Sequence, residues 1–257
     1  METKNELMNL LKLSKADLHI HSNYSDSKAS VEEILEYVDK STDLKVIAIT
    51  DHDTIEGALL AQKMAKNNKL LFGVIIGEEI TSRDGHIAGL FLKEKVEPGM
   101  SARRTINAIH RQGGLAIAVH PFFKTHYYNP EHPVMHGVGS SILFNMRTMF
   151  DAVEVINSTP TLGYENYLAG VLNKTIIHCA ETGSSDAHIL DAIGHGYTFF
   201  EGSSKSDLRK AIVRAQTKAM YERWNVLGIL RYLFFFVPRG LRILTYSFLH
   251  PRRLKKQ

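Results

Sequence analysis

The chain has 257 residues, of which 44% are hydrophobic, and a formal net charge of +4, so it can bury a substantial core as one large domain. Its single cysteine, Cys179, excludes a disulfide framework and a cysteine-based zinc site, which fits a reducing compartment. The N-terminal segment METKNELMNLLKLSK scatters charges among short apolar pairs and is not typical of a signal peptide. We therefore expect a cytoplasmic protein.

Short β-branched apolar segments alternate along the chain with helix-length amphipathic segments. In order they are ADLHIHS, KVIAITDHD, LLFGVIIGEEIT, HIAGLFL, GLAIAVHP, FDAVEVINS and KTIIHCAETGSSDAH. Between the first two, Ser30 and Glu33 have the spacing of a capping box at the start of a helix. Further helices are predicted around 55–67, 101–112, 162–173 and 204–220. The alternation predicts a parallel α/β sheet, and its regularity favours a barrel over an open doubly wound sheet.

Histidines and carboxylates stand where these apolar segments end. They are His19 and His21 in the first segment, Asp51, His52 and Asp53 in the second, Glu79 in the third, His120 in the fifth, and Asp186 and His188 in the seventh, while His86 opens the fourth. In a parallel barrel the carboxyl ends of the strands converge on one face. Any one pair could be structural, but the whole set predicts a shared pocket.

The His-x-His spacing is suited to metal binding. Side chains two residues apart in a strand point to the same side, so His19 and His21 can hold one cation, and Asp26 follows closely. Imidazoles and carboxylates together suit zinc, iron or manganese. We expect Asp51 and Asp53 to orient ligands or a helix start rather than to bind metal.

Six of these motifs carry a family resemblance. DLHIHSNYSD, AITDHDT, GEEIT, GHIAGL, AVHP and SSDAH, in this order, resemble the polymerase-and-histidinol-phosphatase (PHP) family of metal-dependent phosphoesterases over roughly residues 15–200. The resemblance implies a distorted (β/α)7 TIM-like barrel that binds two or three divalent metal ions at the strand ends.

The resemblance also implies which residues bind these ions. His19, His21, Glu79 and Asp186 would surround a first metal and form the catalytic group. Glu79 would bridge to a second metal held by His86 and His120. A third metal would lie between Asp26, His52 and His188. Glu79 is preferred to Glu78 because the motif has glycine, any residue, then glutamate.

The implied activity is hydrolysis of a small phosphorylated metabolite or nucleotide, with attack by a hydroxide held between two metal ions. Manganese, zinc and iron are the candidate metals. One alternative is an oligonucleotide 5'-3' exonuclease activity, because a basic C-terminal tail could hold a phosphodiester chain. The other is a non-enzymatic, membrane-anchored interaction module.

The segment after His120 is too long for a simple loop, and we expect an insert at about 122–150 that shapes substrate entry. The candidate substrate contacts are Lys124, His126 and Arg147 in this insert and Asn157 after it. The insert could instead be a helical packing element, and Asn157 could instead support the site together with Glu154.

The C-terminal segment differs from the rest of the chain. We divide the chain into a barrel at 1–222 and an amphipathic basic tail at 223–257, with eight Lys or Arg residues and one acidic residue from Tyr221 onward. The mostly apolar stretch from Trp224 to Val237 contains Arg231 and stops at Pro238, so it is too short and interrupted to cross a membrane. The tail could bind the inner membrane surface peripherally, pack on the barrel or mediate self-association. No stable nucleic-acid complex is expected.

Overall fold

The computed structural model describes residues 13–124 and 136–249. Its strands are β1 (Leu13–Ile20), β2 (Leu44–Ile49), β3 (Gly73–Ser82), β4 (Gly85–Leu90), β5 (Leu115–Ala118), β6 (Ala152–Asn157), β7 (Ala180–Ser184), β8 (Gly196–Glu201) and β9 (Lys218–Tyr221). Its α-helices are α1 (Val31–Ser41), α2 (Glu56–Asn67), α3 (Ala102–Arg111), α4 (Gly139–Asn145), α5 (Gly163–Leu172), α6 (Lys205–Val213) and α7 (Val226–Leu249).

The strands form one sheet in the order β7-β6-β5-β4-β3-β2-β1-β8-β9. The sheet curls until its two ends nearly meet. Ile20 at the end of β1 forms a bridge with Ala187, just after β7. The Thr198 hydroxyl in β8 donates to the Gly183 carbonyl in β7 at 2.9 Å. The result is the predicted barrel-like α/β fold, with apolar side chains filling the interior and helices packed outside.

The prediction of a parallel sheet is wrong at β4, one of the seven predicted strands, and two further strands, β8 and β9, were not predicted. β4 is antiparallel to both β3 and β5, and β8 and β9 are antiparallel to their neighbours. A tight turn at Gly85, which has a positive φ of 123°, reverses the chain between β3 and β4. His86, at the start of β4, therefore pairs with Thr81 near the end of β3 and lies at the same edge as the other strand ends.

All the predicted helices form, but one of them is shorter than predicted. Ser30 caps α1 by accepting from the Glu33 amide at 3.2 Å, and the Glu33 carboxylate accepts from the Ser30 amide at 2.8 Å, so the capping box is confirmed. The helix predicted over 204–220 ends at Val213. The chain turns there through Ala215, whose φ is 51°, and returns as β9 beside β8.

The C-terminal segment forms one long helix, α7, which continues through Pro238. The two apolar stretches of the sequence on either side of Pro238 therefore share one helix. Proline removes one helical hydrogen bond, but α7 buries residues on both sides of it, Phe235 and Ser247. In the described part of the chain, no helix is long and apolar enough to cross a membrane.

Candidate metal centre

The end of β1 places two imidazoles beside two carboxylates from other strands. His19 Nε2 lies 3.1 Å from Glu79 Oε2 and 3.6 Å from Asp186 Oδ1. His21 Nε2 lies 3.3 Å from Glu79 and 3.2 Å from Asp186 through the same two oxygens. All four side chains are largely buried. The two histidines therefore face one point from a single strand, as the His-x-His spacing predicts.

Glu79 occupies the middle of the pocket and uses its two oxygens differently. Oε1 lies 2.8 Å from His86 Nδ1 and 2.9 Å from His120 Nε2. Oε2 faces the two β1 histidines and lies 3.2 Å from His52 Nδ1. One carboxylate thus separates two groups of imidazoles. This is the arrangement expected of a ligand that bridges two cations.

The neighbouring Glu78 points away from the pocket. Its Oε2 accepts a hydrogen bond from the Val96 amide at 2.8 Å, on the other side of β3. Burial raises the pKa of Glu78 to about 8. The alternation of side chains along a strand therefore separates the two glutamates, and only Glu79 reaches the histidines.

A third group lies beside the first two. His188 Nε2 is 3.0 Å from Asp26 Oδ2, and His21 Nδ1 is 3.6 Å from Asp26 Oδ1. The four side chains with ligand atoms within 4.8 Å of one another are His21, Asp26, His52 and His188. Three further such groups are His19 with Glu79 and His120, His19 with His21 and Asp186, and His52 with Glu79 and His86. The structure thus brings all nine predicted metal ligands into one pocket.

Two carboxylates near the site accept hydrogen bonds from neighbouring backbone amides and serine hydroxyls. Asp51 accepts from the amide and the hydroxyl of Ser22 at 2.7 and 2.6 Å, and from the Ser25 hydroxyl at 2.7 Å. These bonds fix the loop that carries Asp26. Asp53 accepts from the Thr81 amide at 2.7 Å. Both residues therefore order the loops around the pocket.

Glu154 and Asn157, at the end of β6, contact the candidate ligands from the side away from the pocket. Glu154 Oε1 lies 3.1 Å from His19 Nδ1, and Glu154 Oε2 accepts from the His120 amide at 2.7 Å. The Asn157 side chain donates to Asp186 Oδ2 at 3.0 Å and to Glu154 at 3.2 Å. Asn157 is buried and uses its amide on these two carboxylates, so it supports the site rather than projecting toward a substrate.

The charges in the pocket are strongly coupled. Burial alone would lower the pKa of His19, but Asp186, Glu79 and Glu154 outweigh it and hold that pKa well above its usual range. Burial would raise the pKa of Glu79, but the surrounding histidines hold it well below its usual range. For His52, burial dominates and keeps the pKa well below its usual value. The histidines likewise hold the pKa of Asp186 well below its usual range, so Glu79 and Asp186 are ionised and need positive charge beside them.

The contacts of His19 show why cations fit here. Its Nδ1 faces Glu154 and its Nε2 faces Glu79, each at 3.1 Å. With its pKa held above the usual range, the metal-free His19 ring is protonated on both nitrogens and can donate to both carboxylates. A divalent cation bound at Nε2 would supply positive charge in place of that proton. Imidazole and carboxylate ligands are the donor set that zinc, iron and manganese accept.

The pocket in front of these residues is small and partly aromatic. Its volume is about 240 Å³. Its walls include ligand residues together with Phe123, Thr159, Leu162, Tyr232 and Phe236. Tyr232 and Phe236 belong to α7, so the C-terminal helix closes one side of the metal pocket. Sequence analysis missed these two residues, although the aromatic run RYLFFF marks the segment.

Tyr232 is held within this wall. Burial raises the pKa of its phenol well above the usual range, the charge of Asp186 adds to this, and a hydrogen bond with Thr159 opposes it. The phenol therefore stays protonated at neutral pH. Because Tyr232 and Asp186 line the same pocket, a group bound in front of Asp186 would lie close to this phenol.

The other predicted substrate contacts are not part of this pocket. Arg147 donates to the Phe144 carbonyl at 3.1 Å, and its own carbonyl accepts from the Cys179 thiol just before β7. It thus lies at the opposite end of the barrel from the strand ends, because β7 runs parallel to β6. Lys124 is exposed and is not among the described residues that line the pocket. His126 lies outside the described residues.

Two curated relatives come from Methanocaldococcus jannaschii. An uncharacterized protein is 40% identical over 175 residues, which is 63% of this chain and 91% of the relative. A second uncharacterized protein is 32% identical over 108 residues and is covered over 40% of its length.

Solved structures share the fold at low sequence identity. PsfC from Pseudomonas syringae has a TM-score of 0.62 at 16% identity, with 89% of this chain and 98% of that chain covered. A two-domain protein from Bacteroides vulgatus, which contains a domain assigned by prediction as a PHP-like metal-dependent phosphoesterase, has a TM-score of 0.58 at 20% identity. The match covers 82% of this chain and 65% of that one.

The model of the PHP domain family matches residues 17–232. The match runs from the first histidine motif through all the strand ends that form the pocket and stops within α7. Sequence motifs, barrel and histidine-carboxylate pocket agree with this match, and the chain is a member of the PHP domain family.

Proposed function

We propose that the protein is a divalent-metal-dependent phosphoesterase that hydrolyses a small phosphorylated metabolite or nucleotide. The observation that carries the proposal is the position of Glu79. Its two oxygens face two different groups of buried imidazoles at 2.8 to 3.3 Å. A carboxylate between two metal positions is what a multinuclear hydrolase requires.

The proposed ligand assignment uses the groups that the structure forms. His19, His21, Glu79 and Asp186 would hold a first ion, and Glu79, His86 and His120 a second. Asp26, His52 and His188 would hold a third. Either two or three ions of manganese, zinc or iron would satisfy these residues. Bound divalent ions would neutralise the phosphoryl oxygens and lower the pKa of water in the pocket.

The protein's own residues would orient this chemistry. Glu154 fixes the ring of His19 through Nδ1 and leaves Nε2 directed into the pocket. Asn157 holds one oxygen of Asp186 and leaves the other for the histidines. Such outer partners set ligand orientation and basicity. The catalytic group is therefore rigid before any substrate enters.

The size of the pocket favours a small substrate over an oligonucleotide. A volume of about 240 Å³ is below the range usual for drug-sized ligands. α7 closes one side through Tyr232 and Phe236, which leaves little room for a chain of nucleotides to continue past the site. The aromatic walls would accept a flat or apolar group attached to the phosphate. The presence of all nine ligands argues against a purely non-enzymatic module.

A phosphate-release screen tests the proposal. The manganese-loaded protein is offered sugar phosphates, mononucleotides, nucleotide bisphosphates and short oligonucleotides, with a His19→Ala, His21→Ala double variant as the control for contaminating phosphatase. Phosphate released from the small esters by the wild type alone supports the phosphoesterase. Mononucleotides released from the oligomers would replace it with the exonuclease. No hydrolysis by fully loaded protein would favour the interaction module.

The proposed location is the cytoplasm. The single cysteine of the sequence fits a reducing compartment.

A further inference from the structure

α7 presents a continuous apolar stripe to solvent. Its exposed members recur at alternating steps of three and four residues, which places them on one face of the helix. They are Leu227, Leu230, Phe234, Val237, Leu241, Leu244 and Phe248. Phe234 and Phe248 are 81% and 85% exposed. Monomeric soluble proteins rarely leave such a large apolar patch in water, so this stripe needs a partner surface.

The stripe cannot turn inward, because the opposite face of α7 is tied to the barrel. Trp224, just before the helix, donates its indole N–H to the Ser158 carbonyl at 2.8 Å. Arg231 pairs with Asp191 at 2.5 Å. Arg239 donates to the Asp26 carbonyl at 3.2 Å and covers the ring of Phe235. Phe235 itself is buried.

The charges of the C-terminal segment indicate which kind of surface the stripe binds. From Arg223 to the C-terminus the sequence has eight Lys or Arg residues and no Asp or Glu. Two copies of α7 would therefore bring arginine against arginine, with no acidic residue of the same segment to pair with it. Arg231 and Arg239 contact the barrel, but an anionic surface would attract the positive charge of the other six basic residues of the segment.

The width of the apolar face of α7 also favours a lipid surface over a second copy of the helix. Val226, Ile229 and Leu233 are also exposed and widen the stripe at its N-terminal half. A two-helix seam uses a narrow pair of positions per heptad, whereas helices that lie in a bilayer interface combine a broad face of leucine and phenylalanine with flanking basic residues.

We propose that α7 docks the protein on an anionic lipid bilayer, with the stripe in the headgroup region and the helix parallel to the surface. Neither the metal centre nor hydrolysis takes part in this binding, so it is measured separately from the activity proposed above. Because the inner face of the same helix walls the pocket, docking would place the catalytic site at the membrane surface.

Vesicle flotation of the full-length protein tests the proposal. At low salt we expect it to float with vesicles of phosphatidylglycerol and phosphatidylcholine, and much less with phosphatidylcholine alone. Phe234→Asp should weaken binding about tenfold or more, because it removes a deeply inserted aromatic side chain. Leu241→Ser is a milder second variant on the same stripe. Leu71→Asp is the matched control, because Leu71 is 90% exposed but lies between α2 and β3.

Circular dichroism and metal content confirm that each variant is folded. Binding by the wild type and the Leu71 variant, with loss in both stripe variants, supports the proposal. It is overturned if the wild type fails to bind anionic vesicles at low salt, or if the folded stripe variants bind like the wild type. A stable dimer that Phe234→Asp dissociates, without vesicle binding, would assign the stripe to a second copy of the chain instead.

Discussion

The ring of Phe236 stands edge-on to the imidazole of His188, with 5.6 Å between the ring centroids. His188 belongs to the candidate metal centre, and Phe236 lies in the middle of α7. The two residues come from segments of very different composition, yet they form adjacent walls of one pocket. The C-terminal helix is therefore part of the environment in which a substrate would bind.

Replacing Phe236 by alanine should open the pocket on the α7 side. We expect KM for the best small phosphoester to rise about tenfold, because an apolar contact of this size contributes to substrate discrimination. Metal content should not change, since no ligand is removed. Phe234→Ala is the matched control on the outward face of the same helix. An equal loss in both variants, or loss of metal in the Phe236 variant, would contradict the proposed role.

The double variant His19→Ala, His21→Ala should abolish hydrolysis and lower the metal content. The two imidazoles face Glu79 and Asp186 from one strand. Their removal leaves two buried carboxylates without the imidazoles that would bind a metal ion together with them. Elemental analysis and phosphate release measure the two effects. His110→Ala serves as the control, because His110 pairs with Asp151 outside the pocket. Full turnover with undiminished metal in the double variant would refute the metal centre.

Asn157→Asp tests a positioning role against substrate contact. The change replaces a donor that bonds both Asp186 and Glu154 with a third negative charge. We expect metal affinity and kcat/KM to fall by about 10- to 100-fold, the usual cost of disturbing an outer-sphere partner. Asn145→Asp, on the exposed end of α4, should change neither. A raised KM with unchanged metal affinity would instead show that Asn157 touches the substrate.

Glu78 should make the stability of the fold depend on pH. Burial raises its pKa from 4.5 to about 8, so between these values the folded chain holds a proton that the unfolded chain has lost. The free energy of unfolding therefore falls as pH rises through this window. Glu78→Gln keeps an acceptor for the Val96 amide and removes the titration.

Thermal unfolding of the Glu78→Gln variant and the wild type at several pH values tests the direction of this change in stability. The variant should gain stability relative to the wild type as pH rises from about 4.5 to about 8, and the difference should level off above that. Glu94→Gln, an exposed control, should show no such trend. A constant difference across the range would mean that Glu78 is ionised in the folded protein.

The sequence alone was sufficient to predict the barrel and the nine histidines and carboxylates that gather at its strand ends. This follows because the ligands stand in short motifs at the ends of apolar segments, and parallel barrels bring such ends to one face. The choice of Glu79 over Glu78 rests on the family motif, and the alternation of side chains along a strand is the local rule that sends the two glutamates to opposite faces. The capping box of α1 is local in the same way.

The tertiary structure decided what local patterns leave open. An alternating apolar pattern is the same in parallel and antiparallel strands, so the reversal at Gly85 that brings His86 to the pocket appears only once β3 and β4 pair. Arg147 was a reasonable phosphate contact by type, but the packing places it at the opposite end of the barrel. Likewise, an amphipathic helix shows in sequence that it has an apolar face, but not which surface it covers. Only the packed fold, in which burial depends on contacts between residues distant in sequence, turns Tyr232 and Phe236 toward the metal centre and leaves Phe234 in solvent.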